Sequence, residues 1–310
     1  MSTTPHTIVI GTRGSRLAVR QTNLALAALQ AANPDVRFQT SIIASSGDAH
    51  PDVPIEGLGV GAFVKELQVA LLRGDIDLAV HSLKDLPAAA TPGLAIAAIP
   101  DREDPREALV DRWSQPLELL PPGARIGTGS PRRMAQLRRL RPDIQVLPIR
   151  GNVTTRLDKA TGNDYDGVVL ALAGLKRLGL DGNLSQIFDP HVFLPAPGQG
   201  ALALETRASD QATIAIVRAI QHQPTAVAVA AERAFLAALG GGCRAPYGAY
   251  ASVQGNLVTL TGMVGKDDGR RLYQATVSST AGDPDAAARA VLDALRAQGA
   301  GPLIDEIKGQ

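Results

Sequence analysis

The chain has 310 residues, 45% hydrophobic and 20% charged, with 31 Lys and Arg against 30 Asp and Glu. That length and balance exclude a small staple-dependent scaffold, a disordered chain and a collagen-like repeat. A net charge of +1 and only 3% aromatic residues argue against a general nucleic-acid binder, which is more often strongly basic.

Residues 7–10 read as a strand and 15–32 as a helix that ends before Asn33-Pro34. Residues 36–43 read as a second strand. Phe63, Leu67, Ala70 and Leu71 stand at i, i+4, i+7 and i+8, which predicts a helix over 63–73 closed by Gly74. Strands follow at 76–80 and 94–99. This alternation argues for a mainly parallel sheet with helices on both faces. The polar stretch from Pro100 to Pro105 is a hinge candidate, after which the same grammar restarts. Strands are expected at 125–128, 144–148 and 167–171. Helices are expected at 131–140, with Ser130 as N-cap and Pro131 at the first position, and from 153 to 160. Beyond Pro224 the texture changes to an Ala-rich helix (226–239), three strands (247–253, 257–264, 272–277) and a last helix (285–297). That order suggests a small α+β domain.

The one cysteine, Cys243, cannot form an internal disulfide. The N-terminus lacks the charged and apolar regions of a secretory signal, and no stretch approaches about 18 consecutive apolar residues. A cytoplasmic protein with no membrane segment is expected. Five scattered His and one Cys make no metal-ligand cluster, so no metal is expected. Gly262-Met263-Val264-Gly265-Lys266-Asp267 fails the phosphate-loop pattern, Gly57-Leu58-Gly59-Val60-Gly61 lacks dinucleotide-binding spacing, and no nucleophile elbow is present.

Ile10-Gly11-Thr12-Arg13-Gly14-Ser15-Arg16 echoes Ile126-Gly127-Thr128-Gly129-Ser130-Pro131-Arg132. Each ends a strand and opens a helix, whose N-terminus favours anions. The echo reads either as a duplicated βα unit or as chance.

Of the 25 Arg and six Lys, eight Arg fall between Arg125 and Arg156, with Asp143 the only acid in that interval. Arg138, Arg139 and Arg141 read as a solvated helix face. Arg132, Arg133, Arg150 and Arg156 sit at strand-to-helix junctions, where α/β sheets bind ligands. Several arginines there imply a ligand with several carboxylates or phosphates. His81-Ser82-Leu83-Lys84-Asp85-Leu86-Pro87 follows an apolar strand. Asp85 could stabilise developing positive charge or act as acid and base; the alternative is a local ion pair or cap. His81 reads as structural. Cys243, after three glycines, is either an inert thiol or an accessible nucleophile.

These segments, in order, resemble the porphobilinogen deaminases, also called hydroxymethylbilane synthases. The resemblance runs almost the whole chain. It rests on Gly11-Thr12-Arg13-Gly14-Ser15, Phe63-Val64-Lys65-Glu66-Leu67, the His81–Pro87 run, Arg102-Glu103-Asp104-Pro105-Arg106, Gly127-Thr128-Gly129-Ser130-Pro131-Arg132-Arg133, Ile149-Arg150-Gly151-Asn152-Val153, Leu172-Ala173-Gly174-Leu175-Lys176-Arg177-Leu178-Gly179, Leu194-Pro195-Ala196-Pro197-Gly198-Gln199-Gly200-Ala201 and Gly241-Gly242-Cys243.

The resemblance implies an α/β protein with two periplasmic-binding-protein-like lobes around a cleft plus a small C-terminal α+β domain. Lobe 1 would span 1–100 with 200–219, lobe 2 101–199, and the C-terminal domain 220–310. It implies a transferase that joins four porphobilinogen molecules head to tail, releasing ammonia, and hydrolyses off the linear hydroxymethylbilane. The cofactor would be a dipyrromethane held by a thioether to Cys243. Lys84, Thr128, Ser130, Arg132 and Arg133 would hold the cofactor. Arg13, Ser15, Arg150, Arg156 and Arg177 would meet substrate or the growing chain, with Phe63 against a pyrrole ring. Asp85 would face the pyrrole nitrogens, assist deamination and stabilise the cationic azafulvene. A monomer is implied, with no nucleic-acid or membrane partner.

The sequence departs from the family pattern at Gly59-Val60-Gly61, where a lysine is usual, at Ser45-Ser46-Gly47-Asp48, and at Pro131, where leucine is usual. The first two changes bear on how the segment around 45–62 handles substrate. A competing reading is a non-catalytic solute-binding or effector-sensing protein, which gives no role to Cys243 or to Lys84-Asp85.

Overall fold

Alternation of Ile8, Val9 and Ile10 places two fully buried isoleucines on one face of strand β1 (Thr7–Thr12). The computed structural model describes residues 7–44, 64–160, 162–240 and 245–309. Helix α1 (Arg16–Ala32) starts where Ser15 Oγ accepts the Ala18 N–H at 3.3 Å, and it buries Gln21, Thr22, Ala25 and Leu29 along one stripe. Strands β2 (Arg37–Ile42) and β3 (Leu78–Ser82) both pair in parallel with β1. Helix α2 (Lys65–Arg73) precedes β3, and β4 (Leu94–Ala98) follows it. Ile8, Ile10, Leu29, Leu78 and Val80 form the core on one face, and Leu67, Leu71, Ile76 and Ala79 that on the other. Each such Ile, Leu or Val side chain contributes roughly 1.5–3 kcal/mol by leaving water.

The chain divides into two compact units, 1–102 with 201–226 and 103–200 with 227–310. The first unit holds the sheet β2-β1-β3-β10-β4, where β10 is Leu202–Arg207. The second unit holds a sheet of order β7-β6-β8-β5-β9. Its strands are β5 (Glu107–Asp111), β6 (Arg125–Gly127), β7 (Gln145–Leu147), β8 (Gly167–Ala171) and β9 (Gln186–Ile187). Rank by rank the two sheets agree in pairing sense: three parallel strands, then an antiparallel one, then an outer strand antiparallel to that. The echo between residues 10–16 and 126–132 therefore marks equivalent places, the ends of β1 and β6.

Two expectations need correction. The sheets are mixed, not mainly parallel, because β10 and β5 each run against their neighbours. The strand expected at 76–80 lies at 78–82. Pairing with β1 begins at Leu78, while Asp77 is used before it, its carboxylate accepting the Val9 N–H at 3.0 Å. His81 and Ser82 then pair with Ala203 and Leu202 of β10, which places polar residues in the strand.

In the second unit, helices α3 (Pro131–Leu140), α4 (Val153–Ala160) and α5 (Leu172–Leu178) accompany the five-stranded sheet. Helices α6 (Gln211–Val217) and α7 (Gln223–Ala238) follow β10. Strands β11 (Tyr247–Gln254), β12 (Leu257–Gly265) and β13 (Leu272–Thr280) form an antiparallel meander. Phe235 of α7 and Val291 of α8 (Pro284–Leu295) pack over Gly262. Helix α9 (Gly301–Lys308) closes this core with Leu303, Ile304 and Ile307.

Arg125 forks onto Asp166, with Nη2 to Oδ1 at 2.8 Å and Nε to Oδ2 at 3.0 Å. These hydrogen bonds hold the Asp166 carboxyl at about 2, against the opposing push of burial. A carboxyl lowered on folding stabilises the native state in full above its unfolded value, about 4, and that stability is lost as pH falls towards 2. Asp166→Asn should therefore flatten the loss of stability across that window in urea titrations. Superimposable pH profiles for the two proteins would show that the fork contributes nothing.

Candidate active-site residues

In the first unit, the end of β3 runs into a 3-10 turn over Leu83–Asp85. Leu83 and Leu86 are buried on either side of the exposed Lys84 and Asp85. The Leu83 N–H donates to the Ala201 carbonyl at 3.0 Å, and the Leu86 N–H to the Leu83 carbonyl at 3.1 Å. Ser82 Oγ is held by the buried Gln21 amide at 2.9 Å. The turn is thus pinned by apolar anchors and hydrogen bonds, while the Asp85 carboxylate has no hydrogen bond or ion pair among the described residues. Among the described residues, Asp85 forms neither the local ion pair nor the cap of the alternative reading. His81 is structural as expected: it is buried with Nε2 3.0 Å from Glu205 Oε2, off the axis of a hydrogen bond. Gln68 of α2 also donates to that carboxylate, at 3.1 Å. Arg13 follows β1 directly and is half-buried, and Ser15 is the N-cap described above.

In the second unit, Thr128 is buried just beyond β6, and its Oγ1 accepts the Ser130 N–H at 3.2 Å. Ser130 Oγ caps α3 by accepting the Arg133 N–H at 3.4 Å. Arg132 and Arg133, in the first turn of α3, are both buried. Arg132 Nη2 lies 2.6 Å from Glu107 Oε1. Arg133 spans the same carboxylate, Nε to Oε1 at 3.0 Å and Nη2 to Oε2 at 2.7 Å, and donates Nη1 to the Val169 carbonyl at 3.0 Å. Burial pushes the Arg132 guanidinium down; Glu107 opposes this and Arg133 adds to it.

Arg150 follows β7, and half-buried Arg156 lies on α4 with Nε donating to the Gly151 carbonyl at 2.8 Å. Burial first, then the charges of Arg133 and Arg150, lower Arg156 to about 10. It stays charged at neutral pH. Arg177 is lowered to about 10, chiefly by burial, and its Nη2 donates to the Gly200 carbonyl at 2.6 Å. Among the described residues, Glu107 is the only carboxylate bonded to Arg132, Arg133, Arg150 or Arg156. Four arginines against one buried acid leave a positive excess that fits a ligand with several carboxylates.

Arg141 is tied to Asp143 at 2.7 Å and to the Leu120 carbonyl, Arg138 donates to the Asp267 carbonyl, and Arg139 is exposed. Arg141 is therefore a structural clasp rather than a bare solvated face. Glu107 is the residue that sequence reasoning missed. Its available signal was an acid at the head of the apolar run Ala108-Leu109-Val110. Phe63, Cys243 and the 45–62 segment lie outside the described residues.

Arginines gathered at the strand ends of an α/β unit, beside a capped helix N-terminus, define a binder of polyanionic small molecules. The comparisons with known proteins narrow that class. The family model "Porphobilinogen deaminase, dipyromethane cofactor binding domain" matches residues 8–215, and "Porphobilinogen deaminase, C-terminal domain" matches 226–296. The chain belongs to the porphobilinogen deaminase family. It is 46% identical over 300 residues to the porphobilinogen deaminase of Roseiflexus sp. (strain RS-1), covering 96% of this chain and 99% of that one. It is 45% identical over 300 residues to that of Brevibacillus brevis, covering 96% of each. It is 44% identical over 311 residues to that of Synechococcus elongatus, covering 99% of this chain and 97% of that one. Among solved structures, the methionine binding protein MetQ overlaps 70% of this chain and 90% of its own, at TM-score 0.45 and 11% identity.

Proposed function

We propose that this chain joins four porphobilinogen molecules head to tail, releasing ammonia at each step, onto a dipyrromethane primer carried by Cys243, and then hydrolyses off hydroxymethylbilane. The family match through residues 8–215 and 226–296 carries this reading. The arginine excess beside Glu107 supports it physically, since each pyrrole brings an acetate and a propionate. The proposed domains are 1–100 with 200–219, 101–199 and 220–310, the last holding Cys243. The working protein is proposed to be a cytoplasmic monomer. No described helix is long and apolar enough to cross a membrane.

Bound there, the dipyrromethane supplies a nucleophilic pyrrole carbon that accepts each new ring. Lys84, Thr128, Ser130, Arg132 and Arg133 hold its side chains. Arg13, Ser15, Phe63, Arg150, Arg156 and Arg177 position porphobilinogen and the growing chain. Asp85 presents its carboxylate to the pyrrole N–H groups, where positive charge develops as ammonia leaves, and helps remove the ring proton after coupling.

The first test is the intact mass of the denatured protein beside Cys243→Ser. Loading forms a C–S bond at the cysteine, with loss of the thiol proton, and one C–C bond between rings, with loss of the first ring's α-carbon proton; two C–N bonds break, and each amine leaves with one of those protons as ammonia. Wild type should exceed its sequence mass by two porphobilinogens less two ammonias, and the variant should not. Bare wild type that gains no mass from added porphobilinogen would favour the solute-binding alternative. Arg150→Ala should slow elongation ~10–100-fold, the loss of one charge-assisted hydrogen bond worth ~1.5–3 kcal/mol. Stalled intermediates would appear in the same mass spectra, and unchanged kinetics without them would remove Arg150 from substrate binding.

A further inference from the structure

Glu107 is fully buried at the first position of β5, with its backbone paired in the sheet opposite Ala171. One of its carboxylate oxygens serves both Arg132 Nη2 and Arg133 Nε, and the other serves Arg133 Nη2. Two guanidiniums side by side in the first turn of a helix repel each other and the positive end of the helix dipole. Arg133 uses three of its five donors on Glu107 and Val169, which fixes its plane and leaves two for a ligand. Arg132 splits its donors between Glu107 and the Leu194 carbonyl and keeps others free for a ligand. A buried ion cluster of this kind is a poor source of stability, since apolar side chains of the same volume would do as well or better. Its effect is to fix the direction of two charges.

Resting on the anion-holding role given above to these arginines, we propose that Glu107 is a positioning residue for cofactor loading: it holds Arg132 and Arg133 in the orientation that receives the carboxylates of the dipyrromethane. Asp104 and Arg106, three residues and one residue before Glu107, pair with each other.

The test uses the full chain prepared without porphobilinogen. Wild type, Glu107→Gln and Glu107→Asp are incubated with porphobilinogen, and the gain in intact mass is followed in time. Circular dichroism and thermal melts are recorded with and without sulfate. Glu107→Gln keeps volume but leaves two buried guanidiniums without a counter-charge, so it should load at least about tenfold more slowly than wild type. Glu107→Asp, which keeps the charge, should recover most of that rate. Sulfate should raise the melting midpoint of Glu107→Gln more than that of wild type, a response that loss of packing alone does not give. Loading of Glu107→Gln at the wild-type rate would overturn the proposal. So would a Glu107→Gln chain that fails to fold even in sulfate, which would assign the residue to the fold, or Glu107→Asp loading no faster than Glu107→Gln. Wild type that gains no mass at all would instead sink the proposed function, while the sulfate comparison would still report whether Glu107 balances the two arginines.

Discussion

Asp85→Asn is expected to lower turnover ~10²–10⁴-fold, the usual contribution of a positioned acid–base or charge-stabilising group. The substitution keeps the side chain's shape and removes only its charge and proton affinity. The turn that carries it does not depend on that charge. Leu83 and Leu86 anchor it by burial, and the Leu83 and Leu86 N–H groups are already bonded to Ala201 and Leu83. With no partner among the described residues, the carboxylate has no evident structural duty to lose. The variant should fold as wild type and carry the same added mass on Cys243. Steady-state rates together with intact mass check this. Activity within about tenfold of wild type would remove Asp85 from the chemistry.

The second large effect is expected on stability. Gly200 has φ +87, and a Cβ built on it would lie 2.2 Å from the Glu103 carbonyl oxygen. Its carbonyl accepts the Glu103 N–H at 3.2 Å and Arg177 Nη2 at 2.6 Å. Beside it, Gln199 Nε2 donates to the Pro105 carbonyl at 2.8 Å. The obstacle is backbone, not the end of a flexible side chain, so the segment itself must move and both hydrogen bonds suffer. Left-handed strain and overpacking together should cost ~2–5 kcal/mol. At ~2–4 °C per kcal/mol for a protein of this size, Gly200→Ala should lower the melting midpoint by roughly 5–15 °C. A shift under about 2 °C would mean that residues 103 and 200 separate at little cost.

These two positions differ in how far they could be read beforehand. Asp85 was legible because its signal is local: an apolar strand runs into Lys84-Asp85 and then Pro87, all within a few residues. The same holds for Ser130 and Pro131 at the start of α3, where capping chemistry depends on residues three apart. Gly200 was part of a quoted motif, yet nothing in that motif says that the Glu103 carbonyl occupies the space a side chain would need.

By itself the sequence determined the alternation of strands and helices, the capped start of α3, the restart of the pattern after Pro105 and the family. All of these rest on periodicity, caps and short motifs carried on contiguous residues. Only the tertiary structure decided that β5 and β10 run antiparallel within their sheets, because strand direction is set by where the chain re-enters, not by the strand's own residues. Only the tertiary structure decided that Arg133 is held by Glu107 and Val169, partners 26 and 36 residues away. Hydrogen-bond partners at such separations leave no periodic trace in a single sequence, and burial beside Glu107 turns a surface-looking pair of arginines into a fixed, partly balanced charge.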